Sequence, residues 1–152
     1  MQVWRLTKTR RASTAFDGEG ARVNGARWNS RGTRVAYACS NSALAVLEVL
    51  VHMTGGGILP GYSLIAATLD DTVIEDLPAS ALPKDWNVSP IPPDVQAVGD
   101  AWIRSRRSLA LRVPSAIVAG GFNILINPDH PDFRRLTVDS IAPYAFDPRL
   151  VR

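Results

Sequence analysis

The sequence predicts an α+β fold, in which one mixed sheet packs with a few helices in a single domain spanning residues 1–152. The length of 152 residues fits one domain. A hydrophobic content of 46% with 20% charged residues is enough for a buried core. The 11 glycines and 11 prolines exceed what a helical bundle needs, and they indicate many turns.

Short apolar segments bounded by turn residues predict about six strands. These segments are residues 2–6, 35–38, 62–69, 109–118 with a break at Pro114, 122–126 and 136–141. Residues 73–74 are a candidate for a further short strand. Residues 8–34 are polar, rich in Arg and Gly and only weakly periodic, so we expect a long functional loop region with little regular structure there.

Two helices are predicted, one that runs to about Met53 and one over residues 95–105. Residues 40–42 offer N-caps for the first helix, and the glycines within residues 54–57 can end it. Its helical wheel separates an apolar stripe from a remaining face. The stripe includes Leu44, Leu47, Leu50 and Val51, and the remaining face holds Ala45, Glu48 and His52.

Composition argues against several classes of site. Two His and one Cys are too few for a zinc site of the usual His/Cys type, so no metal is expected. The formal net charge is +3, and nearly all basic residues are Arg. This charge permits weak nucleic-acid binding, but the chain has no recognised nucleic-acid motif, so we do not expect direct binding.

The same composition bears on location. Cys39 cannot form an internal disulfide, which favours a reducing cytoplasm, and we expect it to be a small buried hydrophobe. The N-terminus has no secretory pattern, and no apolar run approaches membrane-spanning length. We therefore expect a cytoplasmic protein without a membrane partner.

Three side chains form the main candidate site. Arg27 lies in a loop bounded by Gly25 and Gly32, Tyr37 ends a predicted strand, and Glu48 is the one carboxylate of an apolar helix. Arginine binds phosphate through two parallel hydrogen bonds, an aromatic ring can stack on a flat heterocycle, and a carboxylate stabilises a sugar cation. Together, these three side chains have the chemistry needed to bind a dinucleotide. The alternatives are an Arg27 side chain stacked on Trp28 or paired structurally with Glu48, and an ordinary core tyrosine.

Ser115 and Asn123 are further candidates. Ser115 follows Pro114 between two apolar stretches, which suggests a bulge aimed at a site, although an ordinary turn serine has the same pattern. Asn123 begins a stretch that ends with Asn-Pro and His-Pro pairs, and these pairs predict a firm turn, which favours a structural role for the stretch. Arg5 is not included among the candidates.

Taken together, these motifs resemble the RES-domain family, the toxin half of bacterial Xre–RES toxin–antitoxin pairs. The Arg, Glu and Ser that name the family match Arg27, Glu48 and Ser115, and Tyr37 fits the aromatic residue before the helix. Residues 123–131 resemble the C-terminal stretch of the family. The resemblance covers nearly the whole chain, and Ala26 departs from it where the family often has a second glycine.

The resemblance implies a fold similar to ADP-ribosyltransferases and the consumption of NAD by cleavage of its nicotinamide–ribose bond. NAD is then a substrate, inorganic phosphate can be a co-substrate, and no cofactor is needed. By analogy, Arg27 and Glu48 are catalytic. Tyr37, Ser115 and Asn123 bind substrate.

The acceptor stays open among phosphate, water and a target protein. A cognate Xre-type antitoxin is implied as partner and would carry the DNA contact, and a homodimer within that complex is compatible with the resemblance. A mono-ADP-ribosyltransferase with a macromolecular target is the main alternative function. A basic nucleic-acid-binding or ribonuclease toxin ranks below it.

Overall fold

In the computed structural model, which describes residues 1–53 and 60–150, one sheet organises the chain. Across these residues it has seven strands in the order β4-β5-β6-β2-β1-β3-β7. The strands are β1 (Gln2–Lys8), β2 (Ala36–Cys39), β3 (Tyr62–Leu69), β4 (Ile74–Asp76), β5 (Ala110–Pro114), β6 (Phe122–Ile126) and β7 (Leu136–Tyr144). All neighbours pair antiparallel except β4 and β5, which are parallel. The α+β prediction is confirmed.

Helices lie in several of the connections between strands, and one short helix follows the last strand. The α-helices are α1 (Glu19–Asn24), α2 (Ser42–Leu50) and α3 (Pro93–Ser105). Short 3-10 helices cover Thr9–Thr14, Asp71–Val73, Ala79–Ala81, Phe133–Arg135 and Pro148–Leu150. None of the helices in the described part of the chain is long and apolar enough to span a membrane.

Two predicted strands, 62–69 and 122–126, have the bounds that the structure gives them. The strand predicted at 109–118 ends at Pro114, since Ser115 turns the chain back through its backbone N–H, which donates to the Gly121 carbonyl over 2.9 Å. The last strand continues to Tyr144, three residues beyond its predicted end. It follows that turn residues located the strands well but placed their ends less accurately.

The region 8–34 has more regular structure than predicted, since it contains a 3-10 helix and α1. Neither helix has a side-chain cap, and neither contains a buried residue. Capping and amphipathic signals were therefore absent from the sequence, which explains why the prediction missed them.

Helix α2 begins as predicted, because the Asn41 side chain accepts a hydrogen bond from the Leu44 N–H over 2.8 Å. Its predicted faces are wrong in part: Leu44 is buried as expected, but three other residues are not placed as predicted. Ala45 is 2% exposed and buried, whereas Leu47 is 38% exposed and Val51 is 58% exposed. Nearly every residue of this helix is apolar, so the sequence pattern could not fix which side meets the sheet. The helix ends at Leu50, and the glycines predicted to end it lie outside the described residues.

The sheet separates two sides of the core through the alternation of its side chains. Ala38 and Ile124 face a cluster that contains Phe16, while their neighbours Tyr37 and Leu125 face the opposite side. Helix α2 packs into one cluster on that opposite side, and α3 into another. Both helices therefore lie against the sheet face that carries Tyr37.

Candidate functional site

Glu48 and Asn123 meet across the interface between α2 and the sheet. The Asn123 amide Nδ2 donates to Glu48 Oε1 over 2.7 Å, and both side chains are half-buried. Asn123 lies opposite Cys39 in the β2–β6 pairing, so it points to the sheet face that α2 covers. Two residues that are 75 positions apart in sequence thus share one polar contact in an apolar interface.

Tyr37 lies on the same sheet face, and its hydroxyl group anchors the loop that carries Arg27. The hydroxyl donates to Asn29 Oδ1 over 2.7 Å and accepts from the Trp28 N–H over 3.2 Å. Burial raises the pKa of the Tyr37 phenol far above its usual range, and the negative charge of Glu48 adds to this. The phenol therefore stays neutral, and its hydroxyl group is engaged by the loop.

Arg27 is not paired with Glu48. Its Nη1 donates to the carbonyls of Trp86 and Val88, over 2.7 and 3.0 Å. Trp28 stacks on Trp86 instead of on Arg27, with ring centroids 5.9 Å apart. Among the described residues no carboxylate forms an ion pair with Arg27, so its positive charge is not neutralised by a direct partner.

Side chains of helix α3 form hydrogen bonds with the loop that carries Arg27. Gln96 Nε2 donates to the carbonyls of Ala26 and Asn29, over 3.0 and 3.2 Å. The carboxylate of Asp100 accepts from the Ser30 N–H over 3.1 Å and also from the Ser30 hydroxyl. Neither Gln96 nor Asp100 was predicted from the sequence. The other buried residues of α3 are apolar or glycine, but burial is not visible in the sequence, so no local signal pointed to Asp100.

Asn29 is the central polar residue of the loop and is fully buried. Its Nδ2 donates to the carbonyls of Ala21, Ser30 and Thr33, over 2.9, 3.1 and 3.1 Å. Together with the bond from Tyr37, these contacts satisfy both ends of the amide. The loop is thus fixed by buried hydrogen bonds, although the sequence offered no helix or strand pattern for it.

Ser115 organises the turn between β5 and β6. Its Oγ accepts from the backbone N–H groups of Ile117 and Val118, over 3.1 and 3.2 Å. The turn adjoins α2, since a Cβ placed on Gly121 would lie 3.4 Å from the Leu44 side chain. Ser115 has the geometry of a turn serine, and none of its hydrogen bonds within the described residues reaches another predicted site residue.

Arg5, which was not a predicted site residue, is half-buried and lies beside the backbone of Tyr37. Its Nη1 donates to the Tyr37 carbonyl, and within the described residues its buried Nε has no partner. Burial lowers the pKa of Arg5. The side chain lines a cavity of about 250 Å³ together with Asp17 and Glu19. An unpartnered buried donor is rare in proteins, and a pattern of strand residues alone does not reveal one.

Two other residues have clear environments. Cys39 is buried as predicted, and burial, with the Glu48 charge adding to it, raises the pKa of its thiol to about 12. The Cys39 thiol is therefore protonated at neutral pH and does not act as a nucleophile. His52 lies on the exposed surface.

Comparison with known proteins assigns a family. The RES domain family matches residues 2–147. The Prs ADP-ribosylating toxin of Sphingobium sp. (strain YBL2) is 35% identical over 154 residues, which cover 98% of this chain and 96% of the relative. Toxin Res of Yersinia enterocolitica is 35% identical over 152 residues and 99% of both chains. Toxin Res of Pseudomonas putida is 33% identical over 149 residues, with 94% of this chain and 97% of the relative covered.

A solved structure is similar in fold. The match is to a chain of the M. tuberculosis MbcT–MbcA toxin–antitoxin complex, with a TM-score of 0.76 and 22% identity. It covers 98% of this chain and 85% of the other. The arrangement of sheet and helices described above is therefore shared with a chain from a toxin–antitoxin complex.

Proposed function

Because the chain belongs to the RES domain family, we propose that this RES-family toxin consumes NAD by breaking the nicotinamide–ribose bond, with phosphate or water as acceptor. One observation carries the proposal: the Glu48 carboxylate is held 2.7 Å from an amide donor in a half-buried position, on the sheet face that also carries Tyr37. A carboxylate held in this way suits a reaction in which positive charge develops on a sugar.

The reaction needs little covalent chemistry from the protein. The C–N bond of NAD breaks, its electron pair leaves with neutral nicotinamide, and the ribose carbon becomes cationic. Glu48 stabilises that cation, and an oxygen of phosphate or water then forms the new bond as its proton goes to solvent. The products are nicotinamide with phosphorylated or free ADP-ribose.

Other residues of the site bind the dinucleotide in this proposal. The two carbonyl bonds of Arg27 use only Nη1, so its other donors suit a phosphate oxygen. The Tyr37 ring stacks near nicotinamide. Ser115 accepts two backbone bonds through Oγ, which leaves its own hydroxyl proton for a phosphate.

A second candidate function is mono-ADP-ribosylation of a macromolecule. The relative from Sphingobium, 35% identical over 98% of this chain, is named an ADP-ribosylating toxin, and this favours the alternative. The bond broken in NAD is the same, and only the acceptor differs. We also propose an antitoxin partner, because the structural match lies in a toxin–antitoxin complex.

The test is NAD loss by the purified chain, free of antitoxin, with and without phosphate. Glu48→Gln keeps the size of the side chain and removes its charge, so we expect a loss of activity of about 100-fold or more. Glu75→Gln is the matched control, because Glu75 pairs with Arg107 at the surface over 2.8 Å. Phosphate-dependent loss indicates phosphorolysis, and phosphate-independent loss indicates hydrolysis.

Two results would count against the proposal. An active Glu48→Gln protein would remove the carboxylate from the mechanism. If the wild-type chain leaves NAD intact in both conditions but transfers label from NAD to a protein in lysate, the alternative acceptor is correct.

A further inference from the structure

The contact between Asn123 and Glu48 has a defined direction. An ionised carboxylate can only accept hydrogen bonds, so the Asn123 atom that lies 2.7 Å from Glu48 Oε1 must be the Nδ2 donor. The opposite orientation of the amide would place two oxygens together. The amide therefore fixes one oxygen of Glu48 and leaves the other oxygen for a different partner.

The oxygen atom of the same amide lacks a hydrogen-bond donor among the described residues. Asn123 Oδ1 is buried, and within the described residues it has no hydrogen-bond partner. A buried acceptor without a donor lowers stability, so a residue chosen only for folding would avoid it. This cost indicates that Asn123 serves the contact with Glu48, because that contact dictates the orientation of the amide.

The ionisable neighbours of Glu48 matter for any pH experiment on this contact. On β2, burial is the main cause that raises the pKa of Tyr37 above its usual range and the pKa of Cys39 to about 12. Both groups therefore stay neutral near pH 7. Arg5 on β1 is a cation, and its positive charge acts to lower the pKa of Cys39 against the effect of burial. On α2, His52 lies one turn beyond Glu48 and is exposed, so it must be removed in any pH experiment.

We propose that Asn123 is a positioning residue, whose amide donor holds the Glu48 carboxylate oriented for the reaction, rather than a residue that touches the substrate. The inference rests on the proposed function. It assigns to Asn123 a role different from the direct substrate contact predicted from sequence. In this role Asn123 acts on kcat through Glu48 and has little effect on KM.

The decisive variant is Asn123→Asp, measured in a His52→Gln background. The new carboxyl has nearly the shape of the amide, and two carboxyls in contact share one proton over a wide pH range. While that proton is present, the Asp donates an O–H bond in place of the N–H bond, and activity is near that of the background protein. When the proton leaves at higher pH, the donor is lost. We therefore expect a new alkaline limb, on which kcat falls by up to about tenfold per pH unit.

Two further variants complete the test. Asn123→Leu has no donor at any pH, so we expect a uniform loss in kcat of roughly 100-fold without a new limb. Asn41→Asp is the matched control, because it adds the same charge near α2 while keeping the N-cap bond to the Leu44 N–H. Its pH profile should match the background protein.

The outcomes separate this inference from the proposed function. An Asn123→Asp profile with the shape of the background, a folded Asn123→Asp protein that is inactive at every pH, or a loss confined to KM would overturn the positioning role. If the wild type consumes no NAD, the pair is followed by the ¹³C signals of its carboxyl carbons instead. Coupled two-step titration in Asn123→Asp, against one step for Glu48 in the background, would support the contact even though the proposed function had failed. Independent titration would reject it.

Discussion

Gly99 of α3 lies against the backbone of Trp28 so closely that a Cβ at Gly99 would be 1.7 Å from the Trp28 carbonyl oxygen. A glycine inside a helix lowers stability relative to alanine. Here it allows α3 to approach the loop that carries Arg27, so that Gln96 and Asp100 can bind that loop.

We therefore expect Gly99→Ala to force α3 and the loop apart. The clash is with backbone atoms, which cannot rotate away, so the free energy of unfolding should fall by about 1–3 kcal/mol or more. Urea denaturation measures this loss. Gly20→Ala in α1 is the control, because its Cβ would meet only a flexible arginine tip at 4.0 Å, and it should be neutral or stabilising. Equal stability of the two variants would contradict the close approach.

The hydroxyl of Tyr37 should matter more for the loop than for the reacting atoms. Tyr37→Phe leaves Asn29 Oδ1 and the Trp28 N–H without their bond, and we expect a loss of about 1–3 kcal/mol in the free energy of unfolding. Tyr62→Phe is the matched control, because the buried Tyr62 ring packs edge-on against Phe146 and its hydroxyl forms no hydrogen bond within the described part of the chain, so the change should affect stability little. A neutral Tyr37→Phe would show that the loop does not depend on this anchor.

Glu19 should make the free energy of unfolding depend on pH in the acidic range. Hydrogen bonds from Arg22 and then Arg34 lower the pKa of Glu19 from its ordinary value of 4.5 to about 2. A lowered pKa stabilises the fold above pH 4.5, and that contribution is lost as the pH falls towards 2. Glu19→Gln removes it, so the stability of wild type and variant should converge over this range.

Thermal unfolding at a series of pH values measures that convergence. The carboxylate is exposed, so 1 M salt should reduce the difference between the two proteins at neutral pH. A difference that stays constant from neutral pH to pH 2 would reject the role of Glu19.

Two leucines of α2 that differ in burial should respond differently to truncation. Leu44 is 2% exposed and Leu47 is 38% exposed. Leu44→Ala should cost about 2–5 kcal/mol in the free energy of unfolding, whereas Leu47→Ala should stay within about 0.5 kcal/mol. A cost for Leu47→Ala as large as that for Leu44→Ala would restore the predicted apolar stripe, which includes both residues.

The sequence predicted the elements whose signals are local. Strand β3 and the Asn41 cap of α2 follow from patterns a few residues long, and the structure contains both. The face of α2 was not predictable, because a helix with apolar residues on every side has no preferred orientation until it meets the sheet.

The candidate site was predicted only in part for the same reason. Residues with distinctive chemistry, such as Arg27 and Glu48, stood out from their neighbours. The groups that hold them did not, because Asn123 lies 75 residues from Glu48 and Asp100 lies 70 residues from Ser30. Such contacts arise from the folded topology, and a single sequence without the fold does not specify them.

The burial of Cys39 makes the protein a convenient host for chemical labelling. Its thiol is covered and stays protonated, since burial raises the pKa of the group to about 12, so maleimides and disulfide reagents should pass it by under native conditions. A cysteine introduced at the exposed position Ala43 would then be the one thiol of the folded chain that these reagents can modify. A fluorescent probe attached there would sit at the start of the helix that carries Glu48 and would respond when a partner covers that end of the molecule.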